Sequence, residues 1–392
     1  MRAAKLPEAG RNNASVNMRE QEDMAATRDE TRIYNNNKFK IGLFGMNCSG
    51  GLSLTLAPER WDASWDNNVV AAKQADEAGI EFLLPIGRWH GYKGKSDTQG
   101  TTFETLTWAC GLLASTQGIN VFGTLHVAFV NPVFSAKQMV TADHIGHGRF
   151  GLNIVSGWNP REFNMMGVAL NEHDDRYAYS EEWIRIVNRV WSEDEPFDHQ
   201  GRFYKVKDVL SRPKPWFKQR PVLVSAGNSP TGRAFAANNA DCLFTAIPKL
   251  DALPEKIESF RSLAPPGQIR NIFSSMHMMC RPTRKEAQDY HRYIVHEKGD
   301  WEAAEYAASF RGQRLNSWMR EDDDIKARLI SGAGYPVVGS YDDAAETIKT
   351  LHGMGLDGAA MGMINYIDDF HHIRDGLIPR LERLGLREAM KR

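Results

Sequence analysis

A chain of 392 residues is long enough to bury a large core within one domain. Its 48 Lys+Arg against 49 Asp+Glu leave a net charge of -1, which gives no electrostatic case for nucleic acid or an anionic membrane. No apolar run approaches the ~20 residues that span a bilayer, no signal-peptide core opens the chain, and four scattered cysteines (Cys48, Cys110, Cys242, Cys280) without CxxC spacing fit reduced thiols in a cytoplasmic protein.

Residues 1–37 are polar, with Asn12-Asn13 and Asn35-Asn36-Asn37, and are expected to form a flexible arm or to wrap a neighbouring subunit. Residues 38–392 are expected to form one domain, because from 38 onward strands and helices alternate. Strands are expected at Lys40–Phe44, 81–86, 120–125, Phe150–Val155, Val222–Ser225, 241–245, 272–278 and 357–361. Helices are expected at 69–78, 102–115, Pro132–Ile145, 180–191 and 369–384. Pro132 sits at a favoured first helical position, and Thr283-Arg284-Lys285-Glu286 is a capping-box pattern that opens another helix. Eight strands, each followed by a helical segment, define an α/β fold of the (β/α)8 barrel type. Two insertions, 159–218 and 297–335, follow strands, so they fall on the carboxyl face where barrel enzymes keep their chemistry. Glu321-Asp322-Asp323-Asp324 reads first as a solvated face, and the Ser331-Gly332-Ala333-Gly334 run supplies hinges if the second insertion is a lid.

The fourth strand carries a polar group in an apolar run: Phe150, Leu152, Ile154 and Val155 surround Asn153, and Ser156-Gly157-Trp158 follows. A buried amide must find partners or it costs a few kcal/mol. Taken alone, the motif fits an Asn satisfied by neighbouring backbone as well as it fits a site. After the fifth strand, Gly227-Asn228-Ser229-Pro230 combines an N-cap residue with a first-turn proline, so free N–H groups point at whatever lies ahead of the helix. Such an end favours an anion, although most capped helices bind nothing. Arg176 and Tyr177 can hold a phosphate or simply begin a charged helix. Arg88 and His90 end strand 2; Thr124 and His126 end strand 3; a core histidine is the default for either His. Trp61, Trp65, Trp89, Trp158, Phe129 and Tyr92 suggest an aromatic mouth suited to a planar or apolar molecule.

These segments, in this order, resemble the bacterial luciferase-like, reduced-flavin-dependent monooxygenases over about 39–386. Within that family the chain looks closest to the dimethyl sulfone monooxygenase and uracil ring-opening pyrimidine monooxygenase groups. The resemblance rests on Asn47-Cys48-Ser49-Gly50-Gly51-Leu52, Ala136-Lys137-Gln138, Thr141-Ala142-Asp143-His144-Ile145, Gly148-Arg149, Asn153 to Trp158, Glu172 to Tyr177, Gly227-Asn228-Ser229 and Val338-Gly339-Ser340. It implies a barrel that binds FMN at its carboxyl face. It implies that FMNH2 comes from a separate NAD(P)H:flavin reductase and that O2 is activated as a flavin peroxide. The product would be an oxygenated or cleaved C–N or C–S bond in a small neutral heterocycle or sulfone. It implies a homodimer or homotetramer. By the same resemblance Gly87, Arg88, Asn153, Glu162, Arg176, Tyr177, Gly227 and Ser229 bind the flavin. Leu84, Thr124, Asn153 and Trp158 form the dioxygen pocket, and His277 is the substrate-side histidine. The sulfonate-binding arginines of some relatives are replaced by Ser275 and Ile330, and their tyrosine by Met363, so an anionic sulfonate would lack its clamp. Three alternatives stay open: a deazaflavin-dependent dehydrogenase, a metal-dependent barrel hydrolase built on His90, His126 and His277, and a non-catalytic flavin-binding homologue. The absence of HxH spacing at a strand end gives the metal reading little support.

Overall fold

A computed structural model describes residues 27–389 apart from 171, 228, 248–249, 312–324 and 333. Eight parallel strands close into a barrel: β1 (Lys40–Phe44), β2 (Phe82–Leu84), β3 (Asn120–His126), β4 (Phe150–Val155), β7 (Val222–Ser225), β8 (Cys242–Phe244), β9 (Asn271–Arg281) and β11 (Gly358–Gly362). Pairing of Cys242 with Asn271 joins β8 to β9 and completes the ring. The remaining strands are β5 (Phe197–Gln200) and β6 (Lys205–Val209), an antiparallel hairpin, and β10 (Tyr335–Ser340), which pairs with the outer half of β9.

The helices form the outer shell. They are α1 (Trp65–Glu77), α2 (Thr105–Ser115), α3 (Pro132–Ile145), α4 (Pro160–Met165), α5 (His173–Ser192), α6 (Pro230–Asn239), α7 (Leu253–Leu263), α8 (Arg284–Arg292), α9 (Trp301–Arg311), α10 (Ile325–Ser331), α11 (Tyr341–Gly353) and α12 (Ile378–Arg383). No helix of the described residues is long and apolar enough to cross a membrane.

Strand alternation sorts the side chains. On β4, Phe150, Leu152 and Ile154 join the main cluster between barrel and helices, so Gly151 and Asn153 face the barrel axis. A separate interior cluster contains Phe82, Leu84, Phe122, Val222, Val224, Cys242, Phe273 and Ala360. Parallel strands buried on both faces read as apolar runs, which is why most of them were legible in the sequence.

The barrel floor is sealed by residues that precede β1. Ile33 is fully buried in the interior cluster, and its N–H donates to Asn120 Oδ1 at 3.0 Å. Tyr34 lies under Arg270, whose guanidinium is 3.9 Å from the ring centroid. Lys40 Nζ donates to the Asn35 carbonyl at 2.6 Å, and Glu81 accepts from Arg387 Nη1 at 2.7 Å, tying the chain's end to the same floor. The last ten residues of the expected arm, 28–37, are therefore docked, because one apolar side chain among them closes an otherwise open barrel end. Residues 1–26 lie outside the described residues.

Three elements differ from expectation. Helix α5 begins at His173, seven residues before 180, so Arg176 and Tyr177 lie on its first turns. The first insertion contains the β5–β6 hairpin, whose polar FDHQ and KVKDV strands carry little apolar alternation. The second insertion runs directly into β10, and β9 extends to Arg281 to pair with it. The acidic run 321–324 lies outside the described residues.

Candidate active site

The carboxyl half of the barrel presents inward residues from successive strands. Leu84, Thr124, Asn153 and Val224 follow one another around β2, β3, β4 and β7. Thr124 and Asn153 are register partners. Asn153 Nδ2 donates to Thr124 Oγ1 at 3.2 Å, and Thr124 Oγ1 donates to the Pro85 carbonyl at 2.7 Å. Thr124 therefore spends its one proton within the protein. Asn153 Oδ1 is buried with no hydrogen-bond partner. An orphaned buried carbonyl costs about 1–3 kcal/mol, so it is the polar atom in this wall that most needs a ligand. Leu84 is buried beside the pair and supplies an apolar wall.

Past β4, Gly157 adopts φ +88, and a Cβ there would stand 2.6 Å from the Phe163 ring, so only glycine allows the turn that delivers Trp158. Trp158 is half-buried, with the Arg88 guanidinium 5.5 Å from its ring centroid. Glu162 on α4 is 1 % exposed and organises this side of the mouth. It accepts from the Trp89 N–H at 3.0 Å, lies 3.6 Å from Arg88 Nη1, and stands 4.0 Å from His126 Nε2. Arg88 Nε also donates to Gln99 Oε1 at 3.1 Å. Gly87 lies flush with this wall: a Cβ would sit 2.8 Å from His126 Cε1. Burial and the neighbouring Arg88 push the His126 pKa down to about 4, so its ring is neutral at physiological pH. Gln99 was not among the expected site residues, and His126 was expected only as a core histidine at a strand end or as a metal ligand. Their role follows from Glu162, a charged residue on a six-residue helix that no periodicity marks.

A second polar cluster lies at the start of α6. Ser229 caps the helix and accepts from the Gly232 N–H at 3.1 Å, with Pro230 in the first turn. A Cβ on Gly232 would be 2.4 Å from the Tyr177 hydroxyl, so that hydroxyl rests directly on the first turn. Gly227 packs equally closely against the Gly232 carbonyl. Arg176 and Ser156 line a small cavity of about 50 Å³ beside Phe163. The Tyr177 hydroxyl and the capped first turn of α6 thus meet, while Arg176, one residue earlier on α5, lines the cavity beside Phe163.

His277 stands apart from both clusters, three strands round the ring from β4, on β9. It is 1 % exposed, and neither ring nitrogen has a partner. Burial pushes its pKa down to about 3, with His291 acting in the same direction. A Cβ on Gly332 would stand 2.1 Å from its ring, so the chain around Gly332 covers it. Ile330 and Met363 are buried and apolar and carry no cation. His90 is half-buried. Of the six aromatics expected at the mouth, Trp89, Tyr92, Phe129 and Trp158 collect around Arg88 and His126. Trp61 does not: it is 2 % exposed, bonded to the Met46 carbonyl and packed on Tyr366. Trp65 packs edge-on to Phe103 in the shell. Trp65 opens α1 and Trp61 lies in the loop before it. Among the described residues no three His, Cys, Asp or Glu side chains gather as a metal site would need.

Comparison with known proteins agrees with this geometry. A family model described as luciferase-like monooxygenase matches residues 40–358. The FMNH(2)-dependent dimethylsulfone monooxygenase of Pseudomonas putida is 28% identical over 355 residues, covering 88% of this chain and 96% of that protein. Pyrimidine monooxygenase RutA of Bradyrhizobium is 34% identical over 208 residues, 52% of this chain and 56% of that protein. The crystal structure of DmoA from Hyphomicrobium sulfonivorans superposes with a TM-score of 0.78 at 19% identity, covering 91% of this chain and 90% of that one.

Proposed function

The chain belongs to the luciferase-like monooxygenase family, and on that premise we propose that it is the oxygenase of a two-component, FMNH2-dependent system. Reduced FMN, when bound, would supply the two electrons and the site at which dioxygen is activated. The protein's own residues bind, orient and exclude water. Arg176, Tyr177, Ser229 and the backbone around Gly227 hold the phosphate. Gly87, Arg88 and Glu162 fix the flank of the ring site, and Glu162 neutralises Arg88 there. Leu84 and Trp158 keep the pocket dry, while the Asn153 amide offers the polar contact that a developing oxyanion or the flavin edge needs.

The observation that carries this reading is the unpartnered Asn153 carbonyl at the barrel mouth, in a chain that also builds an anion cradle at α6. A ring with amide-like edges and a phosphate tail satisfies both. The substrate is a small neutral heterocycle or sulfone that is oxygenated, or cleaved at a C–N or C–S bond, by one oxygen atom of dioxygen while the other leaves as water. Ser275, Ile330 and Met363 carry no charge and His277 is held neutral by burial, so these positions offer a sulfonate no cationic clamp. A separate NAD(P)H:flavin reductase supplies FMNH2. The four free cysteines, three of them buried, suit a reducing cytoplasm. Residues 38–392 act as one barrel domain in a homodimer or homotetramer, which light scattering measures.

Titration with reduced FMN and with reduced deazaflavin, followed by product analysis with reductase, NADH and a panel of sulfones and heterocycles, tests the reading. Tight reduced-FMN binding with reductase-dependent oxygenated product is expected. Preference for deazaflavin, or no product across the panel, would overturn it.

A further inference from the structure

The start of α6, the Asn153 amide and the Arg88–Glu162 pair all lie on one arc of the ring, at the ends of β2, β3, β4 and β7. The opposite arc runs through β8, β9, β11 and β1. Phe44 ends β1 and Phe244 ends β8, and both fringe the interior cluster. Their ring centroids are 5.4 Å apart, with the planes at 58°. Two strands, β9 and β11, stand between them. The rings meet because the inward residues of those strands are small: Ser275 and Ala360 are register partners, and Gly362 is the next inward position on β11.

Exposure shows which way these rings face. The buried members of the interior cluster are no more than 2 % exposed. Phe44 and Phe244 are only half-buried, and at the carboxyl ends of inward-facing strands the open side is the mouth. Ser275, on the strand next to β8, is half-buried as well. Among the described residues its hydroxyl makes no hydrogen bond. The chain at Gly334 lies against it, since a Cβ there would be 3.2 Å from Ser275 Oγ. This arc therefore offers two phenyl rings and one uncommitted hydroxyl, which can both donate and accept. Neither phenylalanine was among the aromatics expected at the mouth.

We propose that Phe44, Phe244 and Ser275 form the substrate subsite, and that it takes a planar conjugated ring with a hydrogen-bonding atom on its edge in preference to a sulfone. A planar π-system presents a face or an edge to each phenyl, an attraction beyond the area it buries. A tetrahedral sulfone carries its oxygens out of the plane and lies flat on neither ring. The Ser275 hydroxyl orients the ring by its polar edge. The proposal rests on the flavin reading, which sets the cofactor on the other arc, and narrows the substrate of that reading from two classes to one.

Two probes test it in anaerobic calorimetry of the protein loaded with reduced FMN. Pyridin-2-one is a planar ring with an N–H and a carbonyl on its edge; sulfolane is a puckered saturated ring bearing a sulfone. Pyridin-2-one is expected to bind about tenfold tighter. Phe44→Leu and Phe244→Leu keep an apolar side chain without a π face, and each should cut that preference to about twofold while leaving sulfolane unchanged. Ser275→Ala should weaken pyridin-2-one by about fivefold. Reduced-FMN affinity should match the wild type in all three variants. Sulfolane binding as tightly as pyridin-2-one, no binding of pyridin-2-one, or a preference that survives in both phenylalanine variants would overturn the subsite. So would a loss of reduced-FMN affinity in those variants, which would put the two rings under the flavin. Failure of the wild-type protein to bind reduced FMN would overturn the flavin reading instead, and that titration is read before any probe is added.

Discussion

Asn153 donates to Thr124 at 3.2 Å, and Thr124 passes its own proton to the Pro85 carbonyl at 2.7 Å. The relay points one way. It leaves the Asn153 carbonyl as the unsatisfied member, and it makes Thr124 the residue that fixes how the amide is turned.

Asn153→Ala and Thr124→Val should both retain reduced-FMN binding through the α6 cradle and lose productive oxygenation, by about 10²-fold. The measurement is product formed per NADH oxidised. Normal coupling in both variants would mean that the pair does not serve the oxygen step. The same geometry predicts an opposite effect on the empty protein. Asn153→Leu removes an orphaned acceptor, so the flavin-free protein should become more stable by about 1 kcal/mol in urea denaturation.

Arg176→Ala should weaken FMN binding by about 10-fold or more, the loss of one charge-assisted contact. Riboflavin, which lacks the phosphate, should bind the variant and the wild type alike. Equal losses for both ligands would place Arg176 at the ring rather than at the tail.

His277 links stability to pH. Its folded pKa is about 3, against an unfolded value of about 6.5. Between these values the unfolded chain binds the extra proton, so the folded state loses ground as pH falls through that window and loses nothing above it. At pH 5 the loss from this residue is about 2 kcal/mol. Wild type should therefore be destabilised between pH 7 and 5 by about that much more than His277→Leu, as read by urea midpoints at the two pH values. His126, with its pKa near 4, adds a loss of the same sign.

Arg387→Ala should cost about 3–5 kcal/mol, because it leaves the fully buried Glu81 carboxylate without its cation. Calorimetry of the empty protein checks this. An unchanged Tm would show that Asn35 and Asn37, which also donate to Glu81, suffice.

The frame of the barrel was legible where side-chain period decides the structure. Lys40–Phe44, Pro132–Ile145, Phe150–Val155 and Val222–Ser225 form at the expected bounds, since buried parallel strands are short apolar runs and Asn131-Pro132 is an unambiguous helix start. The hairpin Phe197–Gln200 with Lys205–Val209 was not, because its strands pair with each other and need no apolar face. Strand β10 was not among the expected strands, because its burial comes from pairing with the outer half of β9, a partner distant in the chain.

At the site, motif order supplied the residue types, and the sequence alone determined that Asn153 and Thr124 sit on strands and that Ser229-Pro230 begins a helix. Whether those residues meet was a matter of register and ring closure. Thr124 reaches Asn153 because β3 and β4 pair in that register, and Tyr177 touches the first turn of α6 because α5 starts early and packs against it. Only the tertiary structure decided that Trp61 belongs to the core, that Glu162 joins Arg88 to His126, and that Ile33 closes the floor. Local chemistry fixes what a residue prefers within its own strand or helix; a contact between distant residues depends on how the whole ring closes, and no short stretch of sequence contains that.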